Sequence, residues 1–196
     1  AAAASPPRQQ RLWLFLLLIP FWTNFLVRTY AWMFLLRTDG LLGSMLTMLG
    51  LSPTAFEVLY SDTAVLIGLV YGYLPFMVLP VYVALERMDP AWVEAGYDLY
   101  ASDWAVFRRI VVPSARPGLI AGGVLVLIPS LGAYLTPDLL GGARSMMLGN
   151  LIQHEYLVIR DWPLGSAAAL VLMAGVLVGS AILFSYESRR SGARGR

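Results

Sequence analysis

Asp62, Asp138 and Glu155 stand at or near the ends of long apolar stretches, and Tyr71, Tyr73, Tyr134 and Tyr156 fall in or beside the same stretches. A flexible organic cation needs carboxylates for its charges and ring faces for its alkyl stem and for cation–π contact. Asp138, Glu155, Tyr71 and Tyr134 are therefore candidates for lining the path of a small cationic solute. Each also suits a structural role: Asp138 follows Thr136-Pro137 and fits a helix-start cap, while tyrosines serve in interfacial belts and in packing.

Other chemistries lack their parts. A phosphate-cradling GxxxxGK[ST] loop is absent, so the chain is not expected to hydrolyse ATP by itself. The single histidine, His154, has no second His or Cys at metal-ligand spacing, and no metal site or cofactor is expected. Ser130 and Ser166 lie in apolar surroundings without a His or Asp to activate them, which leaves a membrane hydrolase as a weak rival. Stretches 63–85, 117–136 and 164–186 hold no Asp, Glu, Lys, Arg or His, against the pattern of proton-coupled transport. Cysteine is absent, so no disulfide forms.

The elements that position these residues are membrane helices. With 58% hydrophobic and 13% charged residues and a mean hydropathy of +0.67, the chain has too little polar surface for a soluble globule of 196 residues. Its net charge of +2 does not argue for nucleic acid. The expected class is all-α, a polytopic helix bundle in a single transmembrane domain over 1–196, with spans at about 12–36, 63–85, 117–136 and 164–186. The first span meets Asn24 and Arg28 and is expected to break near Arg28. The opening AAAASPPRQQ has neither an initiator Met nor a signal-peptide pattern, which suggests a piece of a longer chain. Arg8, Arg11, Arg87, Arg108, Arg109, Arg116, Arg189, Arg190, Arg194 and Arg196 fall on one side of the bundle. Arg28, Arg37, Arg144 and Arg160 fall on the other, so residues 86–116 and both ends are expected in the cytosol. Leu41, Leu42, Met45, Met48 and Leu49 predict a short interfacial helix ended by Gly50 before Ser52-Pro53. Leu148, Leu151, Ile152, Tyr156 and Ile159 predict a second helix before an Asp161-Trp162-Pro163 cap, either lying on the outer surface or serving as a gate element touched by a binding protein.

Between the second and third spans runs a charged, amphipathic insert, EAGYDLYASDWAVFRRIVVP, residues 94–113. Asp89-Pro90 offers an N-cap and a first-turn proline, and Ser102 offers a second cap. The reading is a hairpin over 89–113, two short helices meeting near Tyr100 and Ala101, the second stopped by Pro113.

Glu94, Ala95, Ile110 and Pro113 resemble the EAA loop of ABC-importer permeases, whose pattern is Glu-Ala-Ala, three residues, Gly, then about nine residues to Ile-x-Leu-Pro. Gly96 replaces the second Ala, Val112 replaces Leu, and Tyr100 occupies the Gly position. A positive φ there would strain Tyr100. The expectation is instead ordinary helical angles, because an aromatic before Ala-Ser-Asp can end one helix ahead of a new cap. IPFWTNFLVRTY (19–30), VYGYLPFMVLP (70–80), PDLLGGARSMMLGNLI (137–152) and IRDWPLG (159–165) resemble the spermidine/putrescine branch of the same family.

The resemblance implies the bundle of a type I ABC-importer permease, in the bacterial inner membrane, with further N-terminal spans and a cytoplasmic EAA hairpin. It implies docking on an ABC ATPase dimer through Trp92, Val93, Glu94, Ala95, Gly96, Leu99, Tyr100, Ala101, Ile110 and Pro113. It further implies pairing with a second permease subunit, contact with membrane lipid, and a periplasmic or lipid-anchored substrate-binding protein. The solute so implied is spermidine or putrescine. Alternatives are another small organic solute such as an opine, a metal ion, or a non-transporting membrane scaffold.

Overall fold

The computed structural model describes residues 7–50, 58–142 and 146–194; Ser52-Pro53 and Arg144 lie outside them. Among the described residues all regular structure is helical. The order is α1 (Pro7–Leu18), a 3₁₀ turn (Ile19–Trp22), α2 (Phe25–Leu36), α3 (Leu41–Met48), α4 (Asp62–Glu86), α5 (Pro90–Asp98) and α6 (Asp103–Val106). A π-helical turn (Phe107–Val111) leads into α7 (Val112–Leu131); a second (Pro137–Gly141), then α8 (Leu148–His154), a third (Glu155–Ile159) and α9 (Trp162–Arg194) complete the chain. Asp62–Glu86, Asp103–Leu131 and Trp162–Leu183 are long and apolar enough to cross a membrane, and a bent fourth pair joins them if its two arms count as one span.

Contacts divide the chain into two compact units. One comprises residues 20–73 and 128–178. Its core is Leu36, Ala64, Val65 and Leu140, with Trp32, Met33, Leu69 and Met147 packed against it. Leu140 is held there because its carbonyl accepts the Tyr60 N–H at 2.8 Å. The bent pair turns by 93° between Trp22 and Phe25. The first span therefore breaks at Thr23-Asn24, not near Arg28 as the residue types suggest. Two side chains stabilise the break: the Thr23 hydroxyl donates to the Pro20 carbonyl at 2.6 Å, and Asn24 Oδ1 accepts the Leu26 N–H at 2.8 Å. With those backbone groups satisfied the helix restarts, and Arg28 lies inside α2.

α3 ends as expected, with Gly50 at φ +77°. Asp161 begins α9, accepting the Leu164 N–H at 3.1 Å. Pro129 lies near the end of α7, and its carbonyl accepts the Tyr73 hydroxyl at 3.1 Å. That bond replaces the helical one lost as the helix stops, since the Ala133 N–H goes to Ser130.

The other unit comprises 1–19, 74–127 and 179–196. Here α4 and α7 touch backbone to backbone: a Cβ at Gly118 would lie 2.5 Å from the Pro80 carbonyl oxygen. Small residues allow such approach where there is no aqueous hydrophobic drive to hold helices together. Pro113 does not stop the second hairpin helix. The chain stays helical from Asp103 to Leu131 through both Pro113 and Pro117. A proline clashes with the carbonyl four residues back, here Arg109, and that carbonyl lies in the widened π turn Phe107–Val111. The wider turn accommodates the ring, so the second hairpin helix and the span form one rod.

Candidate functional site

The hairpin is built by its caps. Asp89 Oδ1 accepts the Ala91 N–H at 3.0 Å with Pro90 at the first helical position, and Ser102 Oγ accepts the Ala105 N–H at 3.4 Å. Between the two helices the chain turns on Tyr100, whose φ is +56°. The expectation of ordinary helical angles at this residue is overturned. Its N–H donates to the Tyr97 carbonyl at 2.9 Å, and the Ala101 N–H donates to the Gly96 carbonyl at 3.1 Å. These are the paired bonds of a Schellman C-cap, which requires a left-handed residue at the Tyr100 position. The bonds and the immediate restart at Ser102 outweigh the strain on a bulky residue.

Gly96 is buried where α5 meets the following helix: a Cβ there would lie 2.9 Å from Ile110 Cδ1 and 3.3 Å from Val106 Cγ2. The motif residues Gly96 and Ile110 therefore face each other across the hairpin. Trp92, Ile110 and Pro113 line a groove of about 570 Å³ with Ala84, Arg87 and Arg109. Val93 and Ala101 are half-buried, while Glu94 and Ala95 are exposed. Leu99 is 81% exposed and Tyr100 98%. Trp104 stacks on Phe107 with centroids 5.6 Å apart, and both are exposed. So many apolar groups at one hairpin tip have no cover among the described residues. Beside them, the Asp103 carboxylate accepts a hydrogen bond from Tyr97 and, by that bond first and its charge second, raises the phenol pKa above 10.0.

The candidate cation residues are placed less uniformly. Asp138 is exposed on the Pro137–Gly141 turn, and its N–H donates to the Tyr134 carbonyl at 3.0 Å. The same carbonyl accepts Asn150 Nδ2 at 2.8 Å, so Tyr134, Asp138 and α8 are tied together. Asn150 Oδ1 is buried and receives no hydrogen bond. Glu155 is buried within its π turn, at 8% exposure. Tyr71 shares a small pocket with Leu140 of the Pro137–Gly141 turn, and is stacked on Phe21 at 5.5 Å and edge-on to Trp32 at 5.4 Å. Arg28 completes that cluster, its Cζ 4.5 Å from the Phe21 centroid and 5.8 Å from that of Phe25. Asn150 is a feature that residue types alone did not single out, and they marked Arg28 only as a break point in an apolar run, not as the centre of an aromatic cluster. Among the described residues no group of acidic, His or Cys side chains can hold a metal ion.

Residues 1–191 match the family described as "Binding-protein-dependent transport system inner membrane component". The chain is 41% identical over 188 residues to the spermidine/putrescine transport system permease protein PotB of Salmonella typhimurium (strain SL1344), covering 96% of this chain and 65% of that protein. It is 42% identical over 188 residues to PotB of Escherichia coli (strain K12), 96% of this chain and 68% of that one. PotB of Haemophilus influenzae is 42% identical over 184 residues, 94% of this chain and 64% of the relative. The chain thus spans about two thirds of the length of these relatives.

Proposed function

This chain belongs to the family of inner-membrane components of binding-protein-dependent transport systems, and on that premise we propose that it is a permease subunit importing spermidine or putrescine. The observation that carries the solute is the 41–42% identity, over 94–96% of the chain, to permeases named for those polyamines. The chain works beside a second permease subunit and receives solute from a substrate-binding protein outside. ATP is hydrolysed by a separate pair of ATPase subunits.

The 89–113 hairpin is the coupling element on the cytoplasmic side. Its exposed Leu99, Tyr100 and Trp104 suit a groove on an ATPase, and the groove beside Trp92 suits a side chain received in return. Because α6, the π turn and α7 are one continuous rod to Leu131, a displacement of the tip reaches the membrane without a flexible joint to absorb it. Alternating access then follows as movement of near-rigid helices. Asp138, Glu155, Tyr71 and Tyr134 line the solute route.

The test is uptake of labelled spermidine and putrescine by proteoliposomes carrying the complete transporter. Wild type should accumulate both with ATP and binding protein present, and Glu94→Ala should sharply reduce solute-stimulated ATP hydrolysis. An intact complex that ignores polyamines but imports another solute refutes the polyamine assignment. Full coupling in a Glu94→Ala, Gly96→Trp double variant refutes the hairpin's role.

A further inference from the structure

Among the described residues Arg28 is a cation with no anion paired to it. It lies in α2, partly exposed as a residue, yet its Nε and Nη1 atoms are buried and make no hydrogen bond. What surrounds the guanidinium is aromatic: Phe21 at 4.5 Å and Phe25 at 5.8 Å from Cζ, with Tyr71 stacked behind Phe21 and Trp32 against Tyr71. The pocket at this point is lined by Phe25, Arg28, Thr29, Trp32 and Tyr71 among others, none of them acidic, and holds only about 10 Å³ of free space. The ring faces have selected a cation, and the cation is the protein's own.

Two physical consequences follow. Ring faces attract a guanidinium, but buried N–H groups without acceptors lose more on leaving water than such contacts return, so the position is easily vacated. Arg28 also presents an alkyl stem ending in a positive head, which is the chemistry of one arm of a polyamine. While it sits against the rings, like-charge repulsion keeps a second cation out.

We propose that the Phe21, Phe25, Trp32 and Tyr71 cluster is a subsite for an ammonium group of the solute, occupied in this conformation by Arg28, which must withdraw before solute binds. Arg28 is thus a tethered competitor that sets how tightly a cation is held. This rests on the polyamine reading and assigns Tyr71 its place in it: the tyrosine contributes to a ring cluster.

Equilibrium binding of labelled spermidine to the complete transporter without ATP tests this. Removing the competitor in Arg28→Ala should tighten binding by about threefold or more, the scale of one cation–π contact. Arg28→Lys, which keeps a cation, should stay near wild type, and Tyr71→Ala added to Arg28→Ala should cancel the gain. If Arg28→Ala does not assemble, Arg28→Met preserves the stem and is read by the same measure. Unchanged binding in the neutral variant overturns the proposal. So does weakened binding that Lys restores, which would make Arg28 the partner of an acidic group. Wild type that binds and transports no polyamine instead defeats the parent reading, whereas normal wild-type transport with indifferent Arg28 variants defeats the subsite alone.

Discussion

Replacing Tyr100 with glycine should stabilise the hairpin. A non-glycine residue in the left-handed region is strained by roughly 1–2 kcal/mol, and φ at Tyr100 is +56°. Glycine removes that strain but makes the unfolded chain more flexible, an opposing cost of about 0.4–1 kcal/mol. The tyrosine side chain is 98% exposed, so its removal forfeits no burial within the chain. Both cap bonds, Tyr100 N–H to Tyr97 and Ala101 N–H to Gly96, are backbone bonds that glycine retains. The net gain is about 0.5–1 kcal/mol, or about a two- to fivefold slowing of local opening. Amide hydrogen exchange at residues 99–101 in the lipid-embedded transporter would read it directly. Tyr100→Ala is the control, since it keeps the Cβ and hence the strain. Exchange that is unchanged or faster in Tyr100→Gly would refute the reasoning. A strained, exposed aromatic is retained where it has a task. Solute-stimulated ATP hydrolysis should therefore fall in Tyr100→Gly even as the hairpin becomes more stable.

Gly96→Ala should be tolerated with at most a mild loss of coupling, because the flexible Ile110 Cδ1 can yield, whereas Gly96→Trp should separate the two hairpin helices and abolish coupled ATP hydrolysis. Tyr97 should titrate above the ordinary tyrosine value of 10.0, and Asp103→Asn should bring it down in a spectrophotometric titration. The sign follows: the folded phenol holds its proton more tightly than the unfolded one. Its contribution to hairpin stability is thus complete below pH about 10 and is lost as the pH rises through the raised value. A cysteine at Ala101 should resist an impermeant thiol reagent in intact cells while one at Met146 reacts, and the reverse pattern would invert the proposed topology.

Composition and periodicity alone determined that the chain is a bundle of membrane helices, because a span of apolar residues has few other ways to satisfy its backbone in lipid. Local chemistry likewise announced the hairpin: Asp89-Pro90 and Ser102 act on amides only a few residues away, so their consequences are written in adjacent letters. The motif match at Glu94, Ala95, Ile110 and Pro113 pointed to the family without any coordinates. What adjacent letters could not decide were competitions between terms of similar size. At Pro113 a ring clash competed with helix continuation, and a π turn resolved it in favour of the helix. At Tyr100 strain competed with two cap hydrogen bonds, and the bonds prevailed. At Asn24, and not Arg28, side-chain caps were available to stabilise a break. Arg28 itself shows the remaining gap. Its type marked it only as a charge in an apolar run, and the aromatic faces around it come from α2, from the turn before it and from Tyr71 more than forty residues away. Such an environment depends on how helices pack, which is a property of the folded chain, because non-local contacts are chosen by the packing of the whole unit and not by neighbours in sequence.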